Sequence, residues 1–382
     1  MGRMNQSLMK TSYDNNTKAF FELVRAGLWN GQRPVSGFTF QVSIGVDWGA
    51  VYLLAEEQSV IGLVAAGIDT LAASERPPQE IVLQFVGQTL QLEKRNKAMN
   101  EYVAGLFEQL RKNDIYALLV KGQGMAQCYE RPLWRACGDI DLLLDQKNYE
   151  KAKALLIPLS TNVEPEYYTF KHIGMTMPGG WEVELHGSLR SRLSRRVDSN
   201  IDAIQEDTLK NGNVRVWRNG NTDVLIPAID NDVIFLFTHI LHHFYVEGIG
   251  LRQICDWCRF LWTYRDELDA AKLAVRLEAM GLTSEWKAFG AFAVSYLGMP
   301  VEAMPVYSAE KKWKRKAERI MVFVLESGNF GHSRVRKAGK LNSLCRKLKD
   351  FSRHAVVFPV DSVKFFCHFV VDGIRLSTKK DK

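Results

Sequence analysis

The sequence predicts an α+β fold, a small mixed sheet carried between N- and C-terminal helical segments. Three observations predict it. Apolar residues recur at helical spacing from Thr17 to about Leu110. Between 115 and 186 short runs alternate with a two-residue period instead. After Pro227 the helical period returns. These changes divide the 382 residues into a disordered stretch at 1–15, a helical segment at 16–112, an α/β core at 113–226, a helical domain at 227–330 and a basic amphipathic tail at 331–382.

Each element has its own signal. Phe20, Phe21, Val24 and Leu28 mark the first helix, and Trp48-Gly49-Ala50 opens a second that carries Leu53, Leu54, Leu63 and Val64. Pro77-Pro78 interrupts the chain, and Pro78 suits a helix start. A long helix then runs to Lys112, with Ile81, Val82, Phe85, Leu90 and Leu92 on its apolar side. Residues 115–120 read as a strand, Lys121-Gly122-Gln123-Gly124 as a turn, and 125–129 as a short helix ended near Pro132. Residues 139–144 form the second strand and 146–156 a helix. Residues 167–177 form a strand pair, and 181–186, after Pro178-Gly179-Gly180, an alternating strand. Two strongly apolar helices, 233–246 and 251–264, flank Gly248 and Gly250, and further helices follow to about Leu325.

The composition is that of an ordinary globular chain, with 46% hydrophobic and 24% charged residues, which excludes a disordered or fibrous protein. The net charge of +7 is local. Residues 331–382 hold 13 Lys/Arg against 4 Asp/Glu, so the rest of the chain is close to neutral. The N-terminus lacks the apolar region of a signal peptide, and Gln6 stands where a myristoylation signal wants Ser or Thr. No apolar stretch is long enough to span a bilayer. The six cysteines show no disulfide-framework spacing, and reduced thiols in the cytoplasm are the simplest account.

The chemistry concentrates at Cys137-Gly138-Asp139-Ile140-Asp141-Leu142. In a strand Asp139 and Asp141 share a face while Ile140 and Leu142 point to the core. Two carboxylates that close repel each other, and a divalent cation removes the conflict. Oxygen ligands favour Mg²⁺ or Mn²⁺ over zinc. The Lys121-Gly122-Gln123 turn offers backbone N–H groups that suit a phosphate, or is simply a tight turn. Arg135 either neutralises a polyphosphate or pairs with a carboxylate. Glu182, Glu184 and His186 share one face of their strand, directed at this site or at water. Two metals held by three carboxylates can clamp an in-line displacement at phosphorus.

The run Leu119-Val120-Lys121-Gly122, then Tyr129, Pro132 and Arg135, then Gly138-Asp139-Ile140-Asp141-Leu142-Leu143, then Val183-Glu184-Leu185-His186, resembles the uncharacterised bacterial nucleotidyltransferase family of the DNA-polymerase-β-like superfamily. The resemblance extends to 239–243 and 250–257. It implies a small mixed-sheet nucleotidyltransferase core between helical segments. It further implies Mg²⁺ (or Mn²⁺) held by Asp139, Asp141 and Glu184, with Glu184 as base. Phosphates fall to Lys121, Gly122, Gln123 and Arg135. Strand parity does not choose between Glu182 and Glu184; Glu184 adjoins His186 in the family-like run. Many superfamily members have Gly-Ser at the turn, where this chain has Gly122-Gln123, and Lys121 could replace the hydroxyl as a point charge.

Other features have plainer readings. His239 and His243, four apart on one helix, pack near the cleft, line a substrate pocket, or hold zinc. Cys255-Asp256-Trp257-Cys258 falls inside a helix and reads as buried packing, and Arg252 pairs most simply with Asp256. In the tail, Arg353 and Lys364 mix with Val357, Phe358, Phe365 and Phe366, which suits an anionic membrane surface or a helix packed on the domain.

The expected protein is a cytoplasmic nucleotidyltransferase, peripheral to the inner membrane surface if the tail binds lipid. It would move a nucleoside monophosphate from a triphosphate to an acceptor, with release of pyrophosphate. The acceptor is a small molecule, sugar, peptide or protein, and nucleic acid is disfavoured. Glu182, His186, His239, His243 and Arg252 would line its pocket. The alternative is a non-catalytic nucleotide-binding or membrane-surface accessory protein on the same fold.

Overall fold

The computed structural model describes residues 14–29, 45–167, 171–246, 248–328 and 350–367. The fold is α+β. The expectation of disorder at 1–15 falls outside these residues except for Asp14 and Asn15. Asp14 caps the first helix by accepting a hydrogen bond from the Thr17 N–H at 2.8 Å.

Four helices come first: α1 (Asn15–Leu28), α2 (Trp48–Glu57), α3 (Ile61–Asp69) and α4 (Gln79–Lys112). The buried stripe of α4 runs through Phe85, Thr89, Asn96, Met99, Val103, Leu106, Phe107 and Leu110. Leu90, expected on the apolar side, is 61% exposed. Over so long a helix the stripe drifts, and its second half passes from the helical core to the sheet.

The α/β part follows as β1 (Leu118–Val120), α5 (Gly122–Ala126), β2 (Asp139–Leu143), α6 (Gln146–Leu156), β3 (Asn162–Val163), β4 (His172–Met177) and β5 (Trp181–His186). The sheet order is β1-β2-β5-β4-β3. Only β2 and β5 run parallel; the other pairs are antiparallel, so the sheet is mixed as expected. Alternation sorts its two faces. Ile140, Leu142, Ile173, Met175, Val183 and Leu185 form one core with Met99, Val103 and Leu106 of α4 and Tyr149 and Leu156 of α6. The opposite face carries Asp139, Asp141, Glu184 and His186. The short helix starts at Gly122 rather than at Met125.

The sequence signals passed over what comes next: α7 (Arg195–Lys210), capped by Ser194, and a hairpin of β6 (Val214–Asn219) and β7 (Thr222–Pro227). The chain closes with α8 (Ile229–Val246), α9 (Leu251–Thr263), α10 (Ala270–Met280), α11 (Thr283–Leu297) and α12 (Lys311–Ser327). Among the described residues no helix is long and apolar enough to cross a membrane.

Residues 350–357 and 359–367 are helical. Val357, Phe358 and Phe365 are buried in the helical core, so these three side chains face the protein and not a bilayer. Residues 331–349 and 368–382 of the expected tail lie outside the described residues.

Gly62 of α3 lies against the backbone of the turn at Pro132–Trp134, which leads into Arg135. A Cβ there would stand 2.0 Å from the Trp134 carbonyl oxygen. Gly62→Ala should therefore lower stability by about 1–3 kcal/mol in urea unfolding. An unchanged midpoint would show that this turn yields freely.

Candidate active site

The parallel register sets the site. Asp141 pairs with Glu184, Asp139 with Glu182, and Leu143 with His186. On the other side Val120 pairs with Asp141, which brings Lys121 alongside. The polar face forms the floor of a cleft of about 490 Å³. Its far wall is α8 and α9, with His239, His242, His243, Arg252 and Asp256 lining it.

A chain of polar contacts crosses the floor. Lys121 Nζ lies 2.8 Å from Asp141 Oδ1, and His186 Nε2 lies 2.8 Å from the same oxygen. His186 Nε2 is also 3.3 Å from Glu184 Oε2, which His172 Nε2 approaches to 3.1 Å. The His172 and His186 rings stack with centroids 4.7 Å apart. Asp141 is 2% exposed. Burial opposes its charge, but Lys121 and the His186 hydrogen bond outweigh it, and the carboxyl lies below its ordinary range. Burial also opposes ionisation of Glu184, but the hydrogen bonds from His172 and His186 outweigh it and hold the carboxyl well below its ordinary range. Asp139 moves the other way. The charge of Asp141, then burial, raise its carboxyl. Like charges on one face therefore remain incompletely neutralised at Asp139.

The turn after β1 is strained. Lys121 has φ 59° and ψ −143°, a region that residues other than glycine rarely visit. Gly122 has φ +44°, and a Cβ on it would lie 3.3 Å from the Asp139 carbonyl oxygen. Gln123, expected among the phosphate ligands, turns its side chain away from the cleft. Its Nε2 donates to Asn96 Oδ1 at 2.9 Å and approaches Met99 Sδ at 3.3 Å on α4. Asn96 in turn donates to the carbonyls of Leu133 and Arg135, both at 2.8 Å. One buried amide thus joins the turn, the loop before β2 and the long helix.

Arg135 pairs with Asp256 of α9, from Nε to Oδ1 at 3.0 Å and from Nη2 to Oδ2 at 2.7 Å. Tyr129 Oη donates to the same Asp256 Oδ1 at 2.7 Å. Asp256, expected beside Arg252, thus also holds Arg135, because α9 presents it to the loop. Arg252 Nη1 donates to the Ala136 carbonyl at 2.8 Å. Arg135 still lines the cleft, and its buried Nη1 has no hydrogen-bond partner among the described residues.

The remaining nominations separate. Glu182 lies outside the cleft, exposed and bonded by Thr176 Oγ1 at 3.1 Å. His239 and His243 do line the cleft, with their Nε2 atoms 3.1 Å apart. Burial, then Lys121, hold His239 neutral, well below its ordinary range. Among the described residues these two are in no group of three potential metal ligands; the trio that does come together is His172, Glu184 and His186, all within 4.8 Å. Cys255 and Cys258 are buried in α9, and burial raises both thiols. Sequence reasoning missed His172 and Asn96. His172 meets the site only through the β4–β5 pairing, and Asn96 is a polar residue on a buried helical stripe, a signal that could have been read.

A family model described as an uncharacterised nucleotidyltransferase matches residues 45–298, and the chain belongs to that family. The match contains every residue of the cleft named above. No curated protein and no solved structure matches the chain significantly.

Two outcomes follow from the geometry. The Arg135 and Asp256 side chains are each 6% exposed, so Asp256→Ala strands a buried cation and should cost about 3–5 kcal/mol in urea unfolding. A loss below about 1 kcal/mol would mean that water reaches Arg135. Burial disfavours charge on His186, but Asp141 and Glu184 raise it above its ordinary 6.5. That contribution to stability is complete below about pH 6.5 and is lost as pH rises through the raised value. In chelator-treated protein, stability should fall more steeply above pH 6.5 in the wild type than in His186→Gln; equal slopes would refute a charged ring.

Proposed function

We propose that the chain transfers a nucleoside monophosphate from a nucleoside triphosphate to a hydroxyl or similar nucleophile on an acceptor, with Mg²⁺ or Mn²⁺ as cofactor. One observation carries this reading: Asp139, Asp141 and Glu184 share the polar face of adjacent strands on the floor of a cleft of about 490 Å³. The donor set fits a divalent cation. The Asp139 carboxyl is raised by the charge of Asp141 and then by burial, which the charge of Lys121 offsets only in part. A bound cation would neutralise charge building on the α-phosphate and lower the pKa of the attacking hydroxyl.

The chain's own groups supply the rest. Arg135 has one nitrogen left over from its pair with Asp256, suited to a phosphate oxygen. Lys121 can turn from Asp141 to a phosphate as a flexible point charge. Glu184, kept ionised by two histidines, accepts the proton that the incoming hydroxyl gives up. The new oxygen–phosphorus bond forms at the α-phosphorus as the bond to pyrophosphate breaks. α8 and α9, with His239, His243 and Arg252, wall the space left for the acceptor. The free buried cysteines and the need for nucleoside triphosphates suit the cytoplasm.

A second reading is favoured by one observation. The ammonium of Lys121 already sits on Asp141, and no hydroxyl occupies the turn, so the cleft could bind a nucleotide without transferring it. Purified protein with a triphosphate mixture and Mg²⁺ or Mn²⁺ distinguishes the two. Transfer predicts pyrophosphate release, lowered more than about a hundredfold in Asp139→Asn with Asp141→Asn, beyond the loss typical of an outer-shell partner. Nucleotide binding without pyrophosphate over a broad panel of acceptors would favour the second reading. Metal-dependent binding unchanged in the double variant would sink both.

A further inference from the structure

We infer that His172 and His186 join Glu184 as ligands of one cation position, a mixed nitrogen–oxygen site that takes a first-row transition dication in preference to Mg²⁺. The inference rests on the transferase reading only for the catalytic meaning of Glu184; the metal site itself stands on the side-chain geometry.

The three ligands come from paired strands rather than loops. His172 of β4 lies directly opposite His186 of β5 in the register, and Glu184 is one step along the same face. Backbone pairing therefore sets their spacing before any ion arrives. His172 Nε2 lies 3.1 Å from Glu184 Oε2, and His186 Nε2, hydrogen-bonded to Asp141 Oδ1 at 2.8 Å, lies 3.3 Å from the same Glu184 oxygen, so an ion there would take the His186 nitrogen over from Asp141. Ligands about 2.0–2.1 Å from a common ion stand about 2.8–3.0 Å apart at neighbouring octahedral positions and about 3.3–3.4 Å apart in a tetrahedron. The two separations lie between and at these spacings, and all three donor atoms lie within 4.8 Å of one another. The site opens onto the cleft, which leaves room for water or a substrate oxygen to complete the shell.

The donor chemistry then chooses the ion. Mg²⁺ asks for oxygen ligands in near-ideal octahedral geometry and keeps much of its water. Imidazole nitrogen suits borderline ions, and two histidines with one carboxylate is a set that zinc and ferrous iron both use. The α8 histidines are the contrast: His239 and His243 face each other with no carboxylate completing a trio among the described residues.

The full chain, stripped with chelator, should be titrated with Co²⁺ alone and followed by its visible absorption. One equivalent should bind with the bands of nitrogen ligation and resist a hundredfold excess of Mg²⁺. His172→Ala and His172→Gln should each weaken binding at least tenfold. The glutamine keeps a hydrogen bond to Glu184 but offers no imidazole, so it separates ligation from packing. Glu182→Gln, on the same strand but outside the cleft, should bind as the wild type does. Absence of bound Co²⁺, or undiminished binding in His172→Gln that retains its thermal midpoint, overturns the site. Because no nucleotide is present, Co²⁺ binding that survives a failed transferase assay supports the site and leaves only its catalytic meaning to fall.

Discussion

The pairing of β2 with β5 governs this molecule. It lays Asp141 beside Glu184 with their apolar neighbours sealed into the core, so neither carboxylate can move away from the other. Three like charges on one sheet face would be costly without compensation. The surrounding chemistry supplies it. Lys121 reaches in from β1, His186 from the same strand as Glu184, and His172 from the next. The strained backbone at Lys121 belongs to this arrangement, since it delivers the ammonium to Asp141 from the end of a short strand.

The walls depend on two buried polar ties. Asn96 binds the turn after β1 and the loop before β2 to α4, so the long helix positions both flanks of the aspartate strand. Arg135 and Tyr129 then fasten that loop to Asp256 of α9. The sheet and the far wall of the cleft are thus joined through a bidentate ion pair whose geometry is fixed by its planar groups. Such a joint gives orientation more than net stability.

Much of the sheet and of its polar face was legible in the sequence, because alternation over 139–144 and 181–186 is a direct imprint of one buried and one open face. The aspartate pair and Glu184 could be named for the same reason. What resisted reading was pairing across the sheet and between layers. Nothing in the spacing says that β4 sets His172 against His186, or that Arg135 will reach Asp256 of a distant helix. Gln123 looked like a turn residue and proved to be a buried link, since the turn is roofed by α4. The hairpin of β6 and β7 was passed over although its alternation, in Val214–Asn219 and Thr222–Pro227, carries the usual signal.

The contact between Lys121 and Asp141 has one more consequence. A cation drawn to Asp141 meets a positive charge already there, so its arrival is an exchange and not a simple filling of a negative well. The departing partner is the tip of a four-carbon chain, and it can swing while the backbone of the turn stays as it is. The protein thereby keeps a counter-ion on a tether, held at the Asp141 carboxylate on the floor of the cleft.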